Sequence, residues 1–170
     1  MNQINWKTLT HPAILFAAIA LTTVGCGTTK PRPVVWNVSI TKATPASIEV
    51  DLVGVNGLEK GQWLSVKPDD YWKPNNSIRQ NAKKVSTSFK DGSPWCLGKT
   101  NQIWKEWFSY GATELMIMAN LPGKFPNDAS DRRRLFLPLD KKVWEPAKKE
   151  TLEVEVQDEF IRVLTPQKLR

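Results

Sequence analysis

Between Ser47 and Val55 the chain reads SIEVDLVGV, with Ile48, Val50 and Leu52 falling on one side of an extended backbone and Glu49 and Asp51 on the other. A period of two residues is the signature of a strand with one face turned to a core. Asn56-Gly57 follows at once as a turn signal. Once one strand of this kind is fixed, the chain needs partners to pair its edges and cover its apolar face. Runs of the same character recur along the sequence. They are Val34 to Thr41, a short one from Trp63 to Val66, Val85 to Phe89, Leu115 to Leu121, Arg134 to Leu139, Thr151 to Val156 and Glu159 to Leu164. Pro, Gly, Asn and Asp bound them, and Gln157-Asp158 offers a two-residue hairpin between the last pair. About eight short strands predict a mainly β domain of the sandwich type.

One segment has a different period. From Asn101 to Tyr110, the residues Ile103, Trp104, Trp107 and Phe108 stand at helical spacing, and Gly111 follows as a C-terminal stop. The expected architecture is therefore a sandwich with one short amphipathic helix.

Residues 1–25 do not belong to that pattern. Lys7 and the amino terminus supply positive charge, and Ala13 to Val24 carries none. About a dozen apolar residues are too few to span a bilayer, which needs roughly 20, but they suit a secretory signal. The stretch ends at Thr22-Thr23-Val24-Gly25-Cys26, which resembles the lipobox of bacterial lipoproteins, with Thr23 where Leu is commonest. That resemblance implies cleavage between Gly25 and Cys26, a covalent lipid on Cys26, and no other cofactor. Gly27 after the cysteine points to sorting to the outer membrane. The expected organisation is a signal peptide at 1–25, a lipidated cysteine and proline-rich tether at 26–33, and one domain at 34–170 facing the periplasm. Loss of the first 25 of 170 residues leaves 145, enough for a single core.

Composition narrows the chemistry. The single histidine, His11, lies in the signal segment, so the mature chain has none to serve in a Ser-His-Asp or Cys-His pair or as a ligand to zinc. Asp69 and Asp70 are adjacent, which on an extended chain points them apart and makes a poor acid-base couple. They are read as part of a turn after Pro68. With Cys26 lipidated, Cys96 is left without a disulfide partner and is expected as a small buried hydrophobe beside Trp95 and Leu97. No metal site and no catalysis are expected. Without Lys7, 23 of the 24 basic side chains remain against 17 acidic ones, in scattered pairs, and no nucleic-acid partner is expected.

The order of these pieces resembles the TssJ family, the outer-membrane lipoproteins of type VI secretion systems. The residues carrying the likeness are Pro45 to Val53 followed by Trp63 and Asp70-Tyr71, then Leu115 to Ala119, Asp131 to Leu139, Leu152 to Leu164 and the Thr165 to Lys168 tail. The resemblance implies a transthyretin-like β-sandwich that is anchored in the outer membrane. It also implies that the domain binds the periplasmic domain of an inner-membrane secretion subunit. In that family the partner loop lies between the first two strands, and here the corresponding Lys42 to Ala46 is shorter. Candidate contacts are Lys42, Ala43 and Thr44, Trp72, and Arg132, Arg133 and Arg134 in and after the polar loop from Asn127. The competing reading is a lipoprotein that binds glycan or peptidoglycan through exposed tryptophans. Trp72 and Trp144, each beside a proline-containing segment, are its best candidates.

Overall fold

A computed structural model describes residues 32–43, 47–89, 93–145 and 150–168. Eight strands form two four-stranded sheets. The first has the order β4-β1-β7-β8, built from β1 (Asn37–Lys42), β4 (Trp95–Leu97), β7 (Thr151–Val156) and β8 (Ile161–Val163). The second runs β3-β2-β5-β6, built from β2 (Ile48–Val55), β3 (Lys84–Phe89), β5 (Glu114–Ala119) and β6 (Arg134–Pro138). Every pairing is antiparallel except β1 with β7, which run parallel with Val38 opposite Leu152 and Ile40 opposite Val154. The mainly β sandwich expected from the strand pattern is the observed fold.

Its core follows from the period of two. Val38 and Ile40 of β1 and Leu152, Val154 and Val156 of β7 meet Ile48, Val50 and Leu52 of β2 and Leu115, Ile117 and Ala119 of β5. At roughly 25 cal/mol per Å² of apolar surface removed from water, this layer is the main favourable contribution to folding. Helix α4 (Ile103–Ser109) forms where the helical spacing predicts it and buries Trp104 and Trp107. Trp107 packs on β2 at Gly54, where an added Cβ would meet the indole Cγ at 2.3 Å.

Four elements depart from the expectation. Trp63 to Val66 is not a strand; it lies at the end of α1 (Lys60–Ser65), where the three-residue step from Trp63 to Val66 buries both on one side. Two more short helices follow, α2 (Pro68–Tyr71) and α3 (Ser77–Asn81), so the domain has four α-helices and a single 3-10 turn at Lys141–Val143 among the described residues instead of one helix. The eighth strand is β4, whose alternation buries Leu97 and leaves Cys96 exposed, contrary to its expected burial. The last hairpin is longer than two residues: Val156 pairs with Ile161, and Gln157 N–H donates to the Phe160 carbonyl at 2.9 Å.

The first three helices cover the outer face of the second sheet, whereas α4 packs into the core between the sheets. Val53, Val55, Met116 and Met118 point away from the sandwich core and are buried by Trp63, Val66 and Tyr71. Asp51 shares that outer face and is therefore buried rather than solvated. Its Oδ2 accepts from Tyr71 Oη at 2.9 Å and from Arg79 Nε at 2.8 Å. Burial and the neighbouring Asp51 charge push the Tyr71 hydroxyl well above its ordinary pKa.

Candidate functional site

The two ends of the sandwich differ. β1 begins where the chain enters from the N-terminal segment and runs to the opposite end, finishing at Lys42. Ala43 N–H there donates to the Val156 carbonyl at 2.9 Å, seating the end of β1 beside the β7–β8 connection. The guanidinium of Arg132, an exposed residue, lies 4.0 Å from the centre of the Phe160 ring, and the Arg132 carbonyl accepts from Ile161 N–H at 2.9 Å. Ala43, Gln157, Asp158, Glu159 and Phe160 line a shallow hollow of about 310 Å³. Three of the sequence-predicted contacts, Lys42, Ala43 and Arg132, are thus drawn to one end, with Ala43 and Arg132 beside the Phe160 ring and Lys42 opposite Val156. Phe160 was not among them, because a single Phe in a hairpin carries no sequence signal; only the Arg132 stack identifies it. The rim holds charges of both signs, with Asp158 and Glu159 exposed beside Arg132. Thr44, Gly25 and Cys26 lie outside the described residues.

Arg133 and Arg134 are placed differently. Arg133 is buried, with its Nε 3.0 Å from Asp131 Oδ1, Nη2 2.6 Å from Asp131 Oδ2, and Nη1 2.7 Å from Asp69 Oδ1. Burial alone would raise the Asp131 pKa, but the Arg133 hydrogen bonds and charge hold it below the usual carboxylate range. Arg134 is also buried and donates to four carbonyls: Trp63 at 2.8 Å, Val66 at 2.7 Å, Leu64 at 3.1 Å and Asp128 at 2.9 Å. Both side chains build the fold and leave no free donor fork for a partner carboxylate. The Asp69-Asp70 pair is divided as expected, although it sits in helix α2: Asp69 binds Arg133 and Asp70 binds Lys73 at 2.6 Å.

Trp72 is half-buried, with one ring contact already taken. The Arg79 guanidinium lies 4.2 Å from its ring centre, and Tyr71 meets it edge-on at 5.3 Å. A sugar stacks on an open aromatic face, and Arg79 occupies one here. Trp144 corrects the expectation of an exposed contact: it is 1% exposed, meets Trp36 edge-on at 6.5 Å and donates to the Pro138 carbonyl at 2.8 Å. Trp36, Trp63, Trp104 and Trp107 are buried as well, leaving Trp72 and Trp95 half-buried. The buried indoles of Trp36, Trp104 and Trp107 also donate to backbone carbonyls, of Leu139, Gly98 and Lys83. This is the partner a buried indole N–H requires. Five of the seven tryptophans among the described residues are buried in the apolar clusters.

A second hollow, about 520 Å³, opens between α1, α3 and the end of β2, lined by Gly54, Trp63, Ile78, Lys83 and Tyr110 among others. Burial pushes the Tyr110 hydroxyl up to about 12. No group of three or more His, Cys, Asp or Glu suited to a metal stands together among the described residues, and none of their helices is long and apolar enough to cross a membrane.

No family model and no curated protein matches the sequence. Solved structures do match in fold. One described as the type VI secretion protein TssM C-terminal domain (869-1107) from EAEC aligns over 76% of this chain and 99% of the matched chain, with 14% identity and a TM-score of 0.52. A chain of a type VI membrane complex aligns over 76% and 96%, with 13% identity and a TM-score of 0.50. The type VI lipoprotein TssJ1 from Pseudomonas aeruginosa covers 81% of this chain and 100% of its own, at 9% identity and a TM-score of 0.43, too low to support inference by itself. The β-sandwich of this chain is the fold found in solved structures of type VI secretion components.

Proposed function

We propose that this protein is a non-catalytic, lipid-anchored binding module of a cell-envelope secretion complex of the type VI kind. The observation that carries the reading is the pairing of a lipobox-like N-terminus with a domain whose fold recurs in type VI secretion structures. In this reading Cys26 holds the outer membrane by its lipid, because two or more acyl chains anchor durably where one does not. The sandwich, in the periplasm, then holds an inner-membrane subunit by that subunit's periplasmic domain. The binding end is the one farthest from the tether, where Lys42, Ala43, Arg132 and Phe160 gather. A partly exposed aromatic with a stacked arginine is the kind of anchor that dominates protein interfaces.

Affinity capture of the lipidated protein from crosslinked envelopes tests this. Recovery of an inner-membrane secretion subunit, reduced about tenfold by Arg132→Glu with Phe160→Ala, is the expected result, since one or two anchors commonly supply that much binding. Recovery of peptidoglycan fragments alone would overturn it.

A further inference from the structure

The end of the sandwich opposite the Phe160 hollow has its own composition. Arg32 N–H reaches Asp140 Oδ2 at 3.4 Å, and Val34 N–H donates to the Leu139 carbonyl at 3.0 Å, so the entering chain is fixed to this end. Hydrogen bonds then cross the end of the second sheet, from Leu139 N–H to the Thr113 carbonyl and from Thr113 N–H to the Val55 carbonyl, each 2.9 Å. Three residues beyond Val55 stands Leu58, 96% exposed. It is not on a slack loop. Asn56 Oδ1 accepts from both Leu58 and Glu59 N–H at 2.9 Å, a built turn that holds the leucine outward. Leu164, 42% exposed, follows β8, where its N–H bonds the carbonyl of Glu153, which is level with Ser39 partway along the first sheet. These two are the exposed large apolar side chains among the described residues, and the more exposed of them, Leu58, lies beyond the tether end of β2.

Exposed cations accompany them: Arg32, Lys141, Lys142 and, bonded through its N–H to the Val143 carbonyl at 2.8 Å, Lys168. Of the acids facing the same way, Glu150 is held by both Lys99 and Lys141, which drive its pKa down to about 2. Asp140 accepts from Lys142 N–H at 2.9 Å, and Glu114 is paired with Lys60. Glu59, Glu106 and Glu145 are further acids on this side.

Covalent geometry limits the reach of the tether. Six residue steps separate Cys26 from Arg32, at most about 20 Å of fully extended chain. If Cys26 is embedded by its lipid, Arg32 cannot stand much farther than that from the headgroups. Cations at the membrane end then come within reach of the surface field, which decays over about 8–10 Å.

We propose that the tether end of the sandwich is a lipid-facing surface, with Arg32, Lys142 and Lys168 on anionic headgroups and Leu58 entering the interface. The proposal rests on the lipid-anchor reading of Cys26. It gives the domain a fixed polarity, lipid at one end and the Phe160 hollow presented away from it.

The full lipidated chain, in vesicles of phosphatidylcholine with a minority of phosphatidylglycerol, provides the test. In a Cys96→Ser background a fluorophore is placed at Gly57→Cys or, at the far end, at Asp158→Cys. An added Cβ at Gly57 has nothing within 4 Å, and Gly61→Cys, equally open, is a second tether-end position. Quenching by headgroup spin-labelled lipid should be several-fold stronger at the tether-end positions. Lys142→Glu with Lys168→Glu should lower it by roughly half, because each cation near an anionic surface adds a separate attraction. Equal quenching at both ends in a chain that co-floats with the vesicles would overturn the orientation alone. A chain that takes up no lipid and does not co-float would overturn the anchor and the orientation together.

Discussion

Gly54 and Trp107 act as one unit. The strand residue has no side chain because the indole occupies the space a Cβ would fill, with Cγ only 2.3 Å away. Gly54→Ala should therefore destabilise the domain by about 1–3 kcal/mol through overpacking, despite alanine's better strand propensity. Trp107→Ala empties a fully buried site that also satisfies the Lys83 carbonyl, and it should cost about 3–5 kcal/mol. Denaturant midpoints of the two variants measure both effects, and an unchanged midpoint for Trp107→Ala would remove α4 from the core. Asp51 is the polar counterpart. Its removal leaves the Tyr71 hydroxyl without its acceptor and Arg79 with only the more distant Glu49 carboxylate at 3.6 Å, so Asp51→Ala should cost about 3 kcal/mol, whereas Tyr71→Phe, which removes one hydrogen bond, should cost about 1 kcal/mol.

Arg134 links three elements: it lies at the start of β6, donates to the last carbonyls of α1 and fastens the Asp128 loop. A helix end leaves carbonyls without partners, and a buried one needs donors from elsewhere. Arg134→Ala should destabilise by about 3 kcal/mol and speed amide exchange in α1, and Arg134→Lys should not restore it, since one ammonium cannot span four carbonyls as the guanidinium fork does. The 127–133 loop depends on pH through the neighbouring Asp131–Arg133 pair. The folded-state Asp131 pKa lies below its unfolded value, so the contribution is complete above pH about 4 and is lost as pH falls below that. Stability of the wild type should drop over this window more steeply than that of Asp131→Asn, which starts lower and lacks this titration. Parallel curves for the two proteins would refute the assignment.

For the molecule as a whole, membrane attachment is predicted to depend on one atom. Cys26→Ser should abolish palmitate labelling and release the folded domain from the membrane fraction; a wild-type chain that takes up no label would end the anchor reading. Much of the fold was legible because it is written locally. Alternation in Ile48–Val55 and Thr151–Val156 sets one face against the other, and the step of three to four residues in Ile103–Ser109 does the same for a helix. The helical layer was not legible: α1, α2 and α3 have six, four and five residues, too short to show a period. They exist because Val53, Val55, Met116 and Met118 must be covered on the sheet's outer face. The same covering turned Asp51 from a solvated strand residue into a buried one and drew Arg134, at the start of its expected strand, into the role of a cap. Of the candidate site, Lys42, Ala43 and Arg132 were visible as polar loop chemistry, but their meeting at the Phe160 end required the parallel β1–β7 pairing, which joins residues more than a hundred positions apart. The sequence alone determined seven of the eight strands, where helix α4 lies and what the N-terminal segment resembles, since each is a matter of neighbours along the chain; its pattern suggested a strand at Trp63–Val66 that is not there and passed over the three-residue β4. Which polar groups are buried, which tryptophans are inside and which loops share an end were decided only by tertiary structure, because burial depends on what packs across from a residue and not on what stands beside it.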